Sequence, residues 1–246
     1  MDVDNSLQQE IRSHLARLRW YLTGLYRGGM EHWPARTEAA DARRQARDDS
    51  PQPALPENPP QNPAAILSDI QQELGDCKRC RLHATRSRIV FGEGSPAARV
   101  VFVGEGPGYE EDQQGLPFVG RAGKLLDKML RALGETRQDV YICNVVKCRP
   151  PNNRTPNNDE VEVCMPFLIR QIETIRPRVI CALGACAAHN LLGVSKPVSQ
   201  LRGKIHYWRG IPLVPTFHPA YLLRNPSQKS AAWQDLLEIQ RLARSG

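Results

Sequence analysis

Gly104-Glu105-Gly106-Pro107-Gly108, carried on through Glu110-Glu111-Asp112 to Pro117-Phe118-Val119-Gly120-Arg121-Ala122-Gly123, is the stretch around which this chain is organised. Immediately before it, Arg99-Val100-Val101-Phe102-Val103 is a short apolar run rich in β-branched residues and reads as a buried strand. Immediately after it, Lys124-Leu125-Leu126-Asp127-Lys128-Met129-Leu130 has helical spacing. The glycines therefore fall at the carboxyl end of a strand, where open α/β sheets bind ligands. Gly104, Gly106 and Gly108 let the backbone approach a ligand closely, and Pro107 stiffens the turn. Carboxylates would repel a phosphate, so a phosphate loop is disfavoured. A carboxylate-bearing loop that ends in a Phe bracketed by Pro and Gly suits a flat, polar, neutral ring. The plainer reading is a Gly-rich turn with solvated acids; the length of the block and its partners further along weigh against it.

Outward from this block, strands alternate with helices. Towards the amino terminus, Pro63 to Leu74 reads as a helix ending at Gly75, followed by Cys77-Lys78-Arg79-Cys80 and by Ile89-Val90-Phe91-Gly92, a short strand or edge segment. Towards the carboxyl terminus, Asp139 to Val146 reads as a second strand and Asn152 to Asn158 as an irregular loop. Asp159 is the expected cap of a helix that carries Cys164 and runs towards Ile175. Arg178 to Gly184 is a third strand and Ala185 to Leu192 a helix. Ile205 to Trp208 and Ile211 to Pro215 flank Arg209-Gly210 like a hairpin, leading into Thr216-Phe217-His218-Pro219-Ala220-Tyr221, and Ser230 to Leu242 closes the chain as a helix. This alternation predicts a parallel sheet with helices on both faces.

The first sixty-two residues differ in character. Leu7, Ile11, Leu15, Leu18, Leu22 and Leu25 recur at spacings of three and four, which predicts an amphipathic helix within 1–30, ended by Gly28-Gly29. It would dock on the chain's own folded domain or on a protein partner. Residues 31–62 form a charged linker with six prolines between 51 and 63, so the folded domain is expected over 63–246. Of 33 Lys+Arg and 26 Asp+Glu, residues 1–62 hold 8 and 9, so the whole basic excess belongs to that domain. A basic domain points to a polyanionic partner, nucleic acid first. No window of about 18 apolar residues exists, and Met1-Asp2-Val3-Asp4 lacks the layout of an export signal. A cytoplasmic chain without membrane contact is expected, in which seven cysteines are not structural disulfides.

Cys77 and Cys80, on one tight turn, join Cys148 and Cys164 as a metal-site layout: two ligands together and two from distant segments. Four thiolates without histidine fit structural zinc or a cubane iron–sulfur cluster, and spacing alone does not separate them. Cys143, Cys181 and Cys186 lie in or beside apolar strands and read as core residues.

Three motifs now stand together: Gly104 to Gly123; Asn144-Val-Val-Lys-Cys-Arg-Pro-Pro151; and His218-Pro-Ala-Tyr-Leu-Leu-Arg-Asn-Pro226. With the four cysteines they resemble the family 4 uracil-DNA glycosylases, over about residues 65–240. The resemblance implies a three-layer α/β/α sandwich with a central, mainly four-stranded parallel sheet, the N-terminal helical extension lying outside it. It further implies a 4Fe-4S cluster on Cys77, Cys80, Cys148 and Cys164, and removal of uracil from DNA to leave an abasic site, acting as a monomer in base excision repair. One branch of the superfamily crosslinks to DNA through a histidine in an inserted basic loop; Lys147 to Arg154 carries no such insert.

On this reading each site residue has a chemical role. The target base must be extruded from the duplex, at a cost of a few kcal/mol. Phe118 would stack on it above the backbone of Gly104 and Gly106. The Asn144 amide offers an acceptor to uracil N3–H and a donor to O4, a pattern that cytosine inverts. His218 would donate to O2 as negative charge grows on the departing base. Glu111 is the candidate for excluding the thymine methyl, and Glu105 or Glu111 for orienting water or favouring the cationic sugar, with Glu105 preferred. Arg149, Arg154, Lys204 and Arg224 are candidates for phosphate contacts, and Leu222-Leu223-Arg224 for the wedge that fills the vacated stack. Competing readings are a glycosylase for a deaminated purine or mismatched uracil, and a non-catalytic, cluster-bearing DNA-binding or polymerase-associated module. Retention of Phe118, Asn144 and His218 together disfavours the latter.

Overall fold

A computed structural model describes residues 62–245. The predicted amphipathic helix, the linker and the domain boundary near 62 lie outside or at the edge of that range. In chain order the elements are α1 (Pro63–Leu74), β1 (Glu93–Gly94), β2 (Val100–Gly104), α2 (Tyr109–Gln114), α3 (Arg121–Leu133), β3 (Tyr141–Asn144) and α4 (Asn158–Ile175). There follow β4 (Val179–Leu183), α5 (Ala185–Leu192), α6 (Val198–Leu201), β5 (His206–Trp208), β6 (Ile211–Thr216), α7 (Pro219–Arg224) and α8 (Lys229–Arg244).

The strands form one sheet in the order β1-β3-β2-β4-β6-β5. The central four are parallel, with Gly104 opposite Asn144 and Leu183 opposite Thr216, while β1 and β5 pair antiparallel at the edges. Strand alternation assigns the two faces. Val101, Val103, Ile180 and Leu213 point to the layer made by α1, α4 and α5; Val100, Phe102, Cys181 and Val214 point to the layer made by α3 and α8. A sheet covered on both faces explains why the strands read as unbroken apolar runs rather than alternating ones. From β2 the chain moves to β3 on one side and later to β4 on the other. The topological switch point thus lies at the carboxyl end of β2, where Gly104 sits.

Three local expectations change. The strand expected at Ile89 to Gly92 is displaced to Glu93–Gly94: Val90 makes a single ladder-like bond to the Lys147 carbonyl, and Gly92 (φ 148°) bends the chain before pairing begins. The acidic segment after Gly108, expected as part of a loop, is a short helix, α2. Asn157, not Asp159, sits at the N-cap of α4; the Glu160 carboxylate accepts the Asn157 N–H at 2.8 Å, and Asp159 turns instead to Arg81.

Candidate active site

All four parallel strands deliver a residue to one end of the sheet. Gly104 ends β2, Asn144 ends β3, Gly184 follows β4, and His218 lies two residues beyond β6. Backbone bonds tie these ends together: Val145 N–H to Gly104 O at 3.0 Å, Val146 N–H to Glu105 O at 3.1 Å, and Gly184 N–H to Thr216 O at 2.9 Å. The Phe118 ring comes to the same point and lies 5.5 Å from the His218 ring, tilted by 32°. A Cβ added to Gly104 would collide with Asn144 Oδ1 and come within 2.6 Å of Phe118 Cζ, so the missing side chain leaves the floor between amide and ring. Gly184, at φ 91°, likewise leaves room for His218, whose Cβ would be 3.1 Å from an added methyl. Gly184 was not singled out from the sequence; its only signal is its position after a strand.

Asn144 is buried, and its Oδ1 has no hydrogen-bond partner. A buried acceptor without a donor is costly, so this oxygen is prepared for a donor that arrives from elsewhere. Its backbone is held firmly. The ammonium of Lys147, fully buried, donates to Asn144 O at 2.8 Å and to Gln171 Oε1 at 2.6 Å, and Gln171 donates in turn to Phe91 O and Tyr141 Oη.

His218 caps α7: its Nδ1 accepts the Ala220 N–H at 3.1 Å. That bond leaves the proton of a neutral ring on Nε2, the free nitrogen. Burial, and then the nearby Arg224 guanidinium, bring its pKa down to about 4, so the imidazole is a neutral donor. The strand behind it is anchored by Thr216 Oγ1, which donates to Asp235 Oδ2 at 2.7 Å, while Arg202 pairs with the same carboxylate.

Glu105 is half-buried, and burial raises its pKa, an effect moderated by a hydrogen bond with Thr155. Glu111 is placed differently from the expectation of a water-orienting or methyl-excluding group. It is buried, and both of its oxygens accept backbone N–H groups: Oε2 from Gly108 at 3.1 Å, Oε1 from Val119 and Gly120 at 2.9 Å each. Its carboxylate is taken up in organising its own loop.

The expected DNA contacts also divide. Leu222 is buried in the core formed with α3 and α8, so it is not a wedge; Leu223, next to it, is exposed, as is Arg224. Exposed Tyr221 stacks on Phe217 at 5.0 Å. Arg149 lies over the Tyr109 ring at 5.0 Å and donates to Asn153, whereas Arg154 forms a two-pronged pair with the buried Glu160 carboxylate, at 2.8 and 2.6 Å. Lys204 is exposed.

Cys77, Cys80, Cys148 and Cys164 line one small pocket with Leu74, Arg79, Lys147, Val163 and Phe167. Three of the four sulfurs receive N–H donors: Cys77 from Arg79 at 3.3 Å, Cys148 from Arg86 at 3.5 Å, and Cys164 from the Lys147 amide at 3.3 Å. Burial raises the Cys148 thiol to about 12 and raises Cys80 and Cys164 as well. Among the described residues no three His, Cys, Asp or Glu side chains close round a single ion. Cys143 and Cys181 are buried in their strands, and Cys186 is buried in α5. A separate cavity of about 310 Å³ opens at the opposite end of the sheet, between Arg99, Leu133, Gln138, Gln240 and Arg244, and none of the converging residues lines it.

Comparison with known proteins places the chain in a family. Residues 91–237 match the model of the uracil DNA glycosylase superfamily. The chain is 51% identical over 166 residues to a type-4 uracil-DNA glycosylase of Thermotoga maritima, covering 67% of this chain and 86% of that one. It is 44% identical over 184 residues to a type-4 uracil-DNA glycosylase of Archaeoglobus fulgidus, covering 72% and 92%. A third, from Sulfurisphaera tokodaii, is 43% identical over 186 residues, covering 72% and 84%. On its fold, its convergent strand ends and these matches, the chain belongs to the uracil-DNA glycosylase superfamily, in the type-4 group.

Proposed function

We propose that this protein is a monofunctional uracil-DNA glycosylase: it takes uracil out of the DNA stack and hydrolyses its N-glycosidic bond, leaving an abasic site. The observation that carries the reading is the unpartnered Asn144 Oδ1, buried beside the Phe118 ring and on the same strand-end floor as His218. Uracil N3–H is a donor of the kind this oxygen lacks, and cytosine, with a lone pair at N3, is not. Phe118 stacks on the ring, and the Nε2–H of His218 points its dipole at O2, where charge gathers as the bond to the sugar breaks. A neutral donor suits a developing anion, because it stabilises the leaving group without being poised to lose a full charge. Glu105 is the carboxylate left for the water or the cationic sugar, since Glu111 is engaged by three amides.

The four thiols suit a 4Fe-4S cluster. Their sulfurs share a pocket, and guanidinium and amide N–H groups aim at three of them, as they would at thiolate ligands. When bound, the cluster would supply a four-point crosslink and carry part of the thiolate charge. Cys148, four residues beyond Asn144, then ties the base-reading strand end to the turn at Cys77 and to α4. Leu223, with Tyr221 beside it, takes the wedge role from Leu222, and Arg149, Lys204 and Arg224 are the basic side chains left for phosphates.

The test is release of uracil from a uracil-bearing oligonucleotide, read as strand cleavage after alkali, for the wild type and for Phe118→Ala, Asn144→Ala and His218→Ala. Cleavage by the wild type that drops at least tenfold in each variant is expected. Equal cleavage of hypoxanthine- or xanthine-bearing strands would instead favour the deaminated-purine reading, and no cleavage of any would favour a binding module.

A further inference from the structure

Phe118 is not only buried; its backbone lies in the left-handed region, at φ 53°, which a bulky L-residue avoids. What keeps it there comes from both sides of the peptide chain. On the carbonyl side, Arg137, on the loop between α3 and β3, donates from Nη1 to Phe118 O at 3.1 Å and from Nη2 to Pro117 O. On the amide side, Glu111 Oε1 accepts from Val119 N and Gly120 N. The guanidinium is itself braced, by Asp127 Oδ1 at 3.0 Å and by Glu93 Oε2 at 3.1 Å, and is largely shielded from water. Gly123 leaves the space into which the Phe118 carbonyl turns, since an added Cβ there would overlap that oxygen. A cation on two successive carbonyls and a carboxylate on the next two amides form a clamp that selects one backbone conformation.

Resting on the function proposed above, we propose that Arg137 is a positioning residue for base recognition: by clamping the carbonyls of Pro117 and Phe118 it holds the Phe118 ring as the stacking face for uracil. Arg137 touches neither Asn144 nor His218 and acts through the aromatic alone. Lysine would put a single point charge in place of the planar fork and could not hold both carbonyls together with both carboxylates in the same geometry.

The experiment is a double-mutant cycle on the full chain, combining Arg137→Leu with Phe118→Ala and adding Arg137→Lys. Single-turnover uracil release is measured beside affinity for an oligonucleotide carrying a tetrahydrofuran abasic analogue, which presents no base to stack. Expected for Arg137→Leu is a loss of roughly 10- to 100-fold in release with abasic-analogue affinity within about threefold of wild type, and for Arg137→Lys an intermediate rate. In the Phe118→Ala background, removing Arg137 should change release by less than about threefold, because the group it positions is gone. Independent, multiplying losses in the double variant, or wild-type release by Arg137→Leu, would overturn the inference. If Arg137→Leu does not fold, Arg137→Lys decides by the same comparison with and without Phe118. Phe118→Ala releasing uracil as fast as wild type would sink the stacking role itself, an outcome distinct from multiplying losses.

Discussion

His218 is neutral because it is partly buried, faces Arg224 and accepts an amide hydrogen at Nδ1, so its environment rewards the uncharged ring three times over. The sign for pH follows. The unfolded ring binds a proton near pH 6.5 and the folded one only near 4, so between these values the unfolded state holds more protons and stability falls as pH falls. The loss from this residue is on the order of 2 kcal/mol, less than the full shift because the ring is open towards the pocket. Uracil release should show no limb near 6.5 from His218 and should be flat from there to above neutrality. A pH profile of the single-turnover rate checks this, and a rise in rate on protonation near 6.5 would sink the neutral-donor role. His218→Ala should cost about 3 kcal/mol of transition-state stabilisation, roughly a hundredfold in rate, with DNA binding retained. Asn144→Asp should admit cytosine, because a protonated carboxyl can donate to its N3; an active variant that still ignores cytosine would count against edge reading.

The elements bring a different lesson, since which side of a short helix faces out decides its chemistry. In α7, Leu222 packs inward while Tyr221, Leu223 and Arg224 face out. Leu223→Ala should therefore slow release from duplex DNA more than from single strands, where no stack needs filling, whereas Leu222→Ala should lower the thermal midpoint as a core truncation does. Paired rate and melting measurements separate the two. The basic residues after β3 divide in the same way. Arg149→Ala should lessen the salt dependence of DNA binding by about one unit of slope in a log–log plot, the mark of one phosphate contact. Arg154→Ala should act on folding instead, because it removes the two-pronged partner of the buried Glu160 carboxylate at the start of α4, leaving it only the Asn157 N–H and Arg81 at 3.6 Å. Salt titrations of the two variants should differ accordingly.

Across the whole molecule, the four-thiol pocket links segments that are far apart in sequence: the turn after α1, the loop after β3, and α4. Replacing Cys77 and Cys148 by Ser should abolish the visible absorption of an iron–sulfur cluster. It should also lower the thermal midpoint and weaken uracil release, since the proposed cluster would hold the Cys148 segment that follows Asn144. Unchanged melting would show that the pocket contributes nothing to holding that segment. No helix among the described residues is long and apolar enough to span a membrane.

The alternation of strands and helices, the glycine-bearing strand end and the three motifs were legible in the sequence because each is a local pattern: side-chain period, a missing Cβ, a turn-forming residue. The parallel core and its two covered faces follow from that pattern and the handedness of βαβ connections. The sequence alone did not tell Leu222 from Leu223, or show that Glu111 would bind its own loop, that Arg137 would grip the Phe118 carbonyl, that Lys147 would hold the Asn144 carbonyl, or that Gly184 would leave room for His218. Those assignments depend on contacts between residues far apart in the chain, or on which way a short helix turns. Only the packed sheet brought four strand ends, one aromatic and one clamped loop to a single point, because burial and hydrogen-bond satisfaction are properties of the assembled fold and not of any one segment.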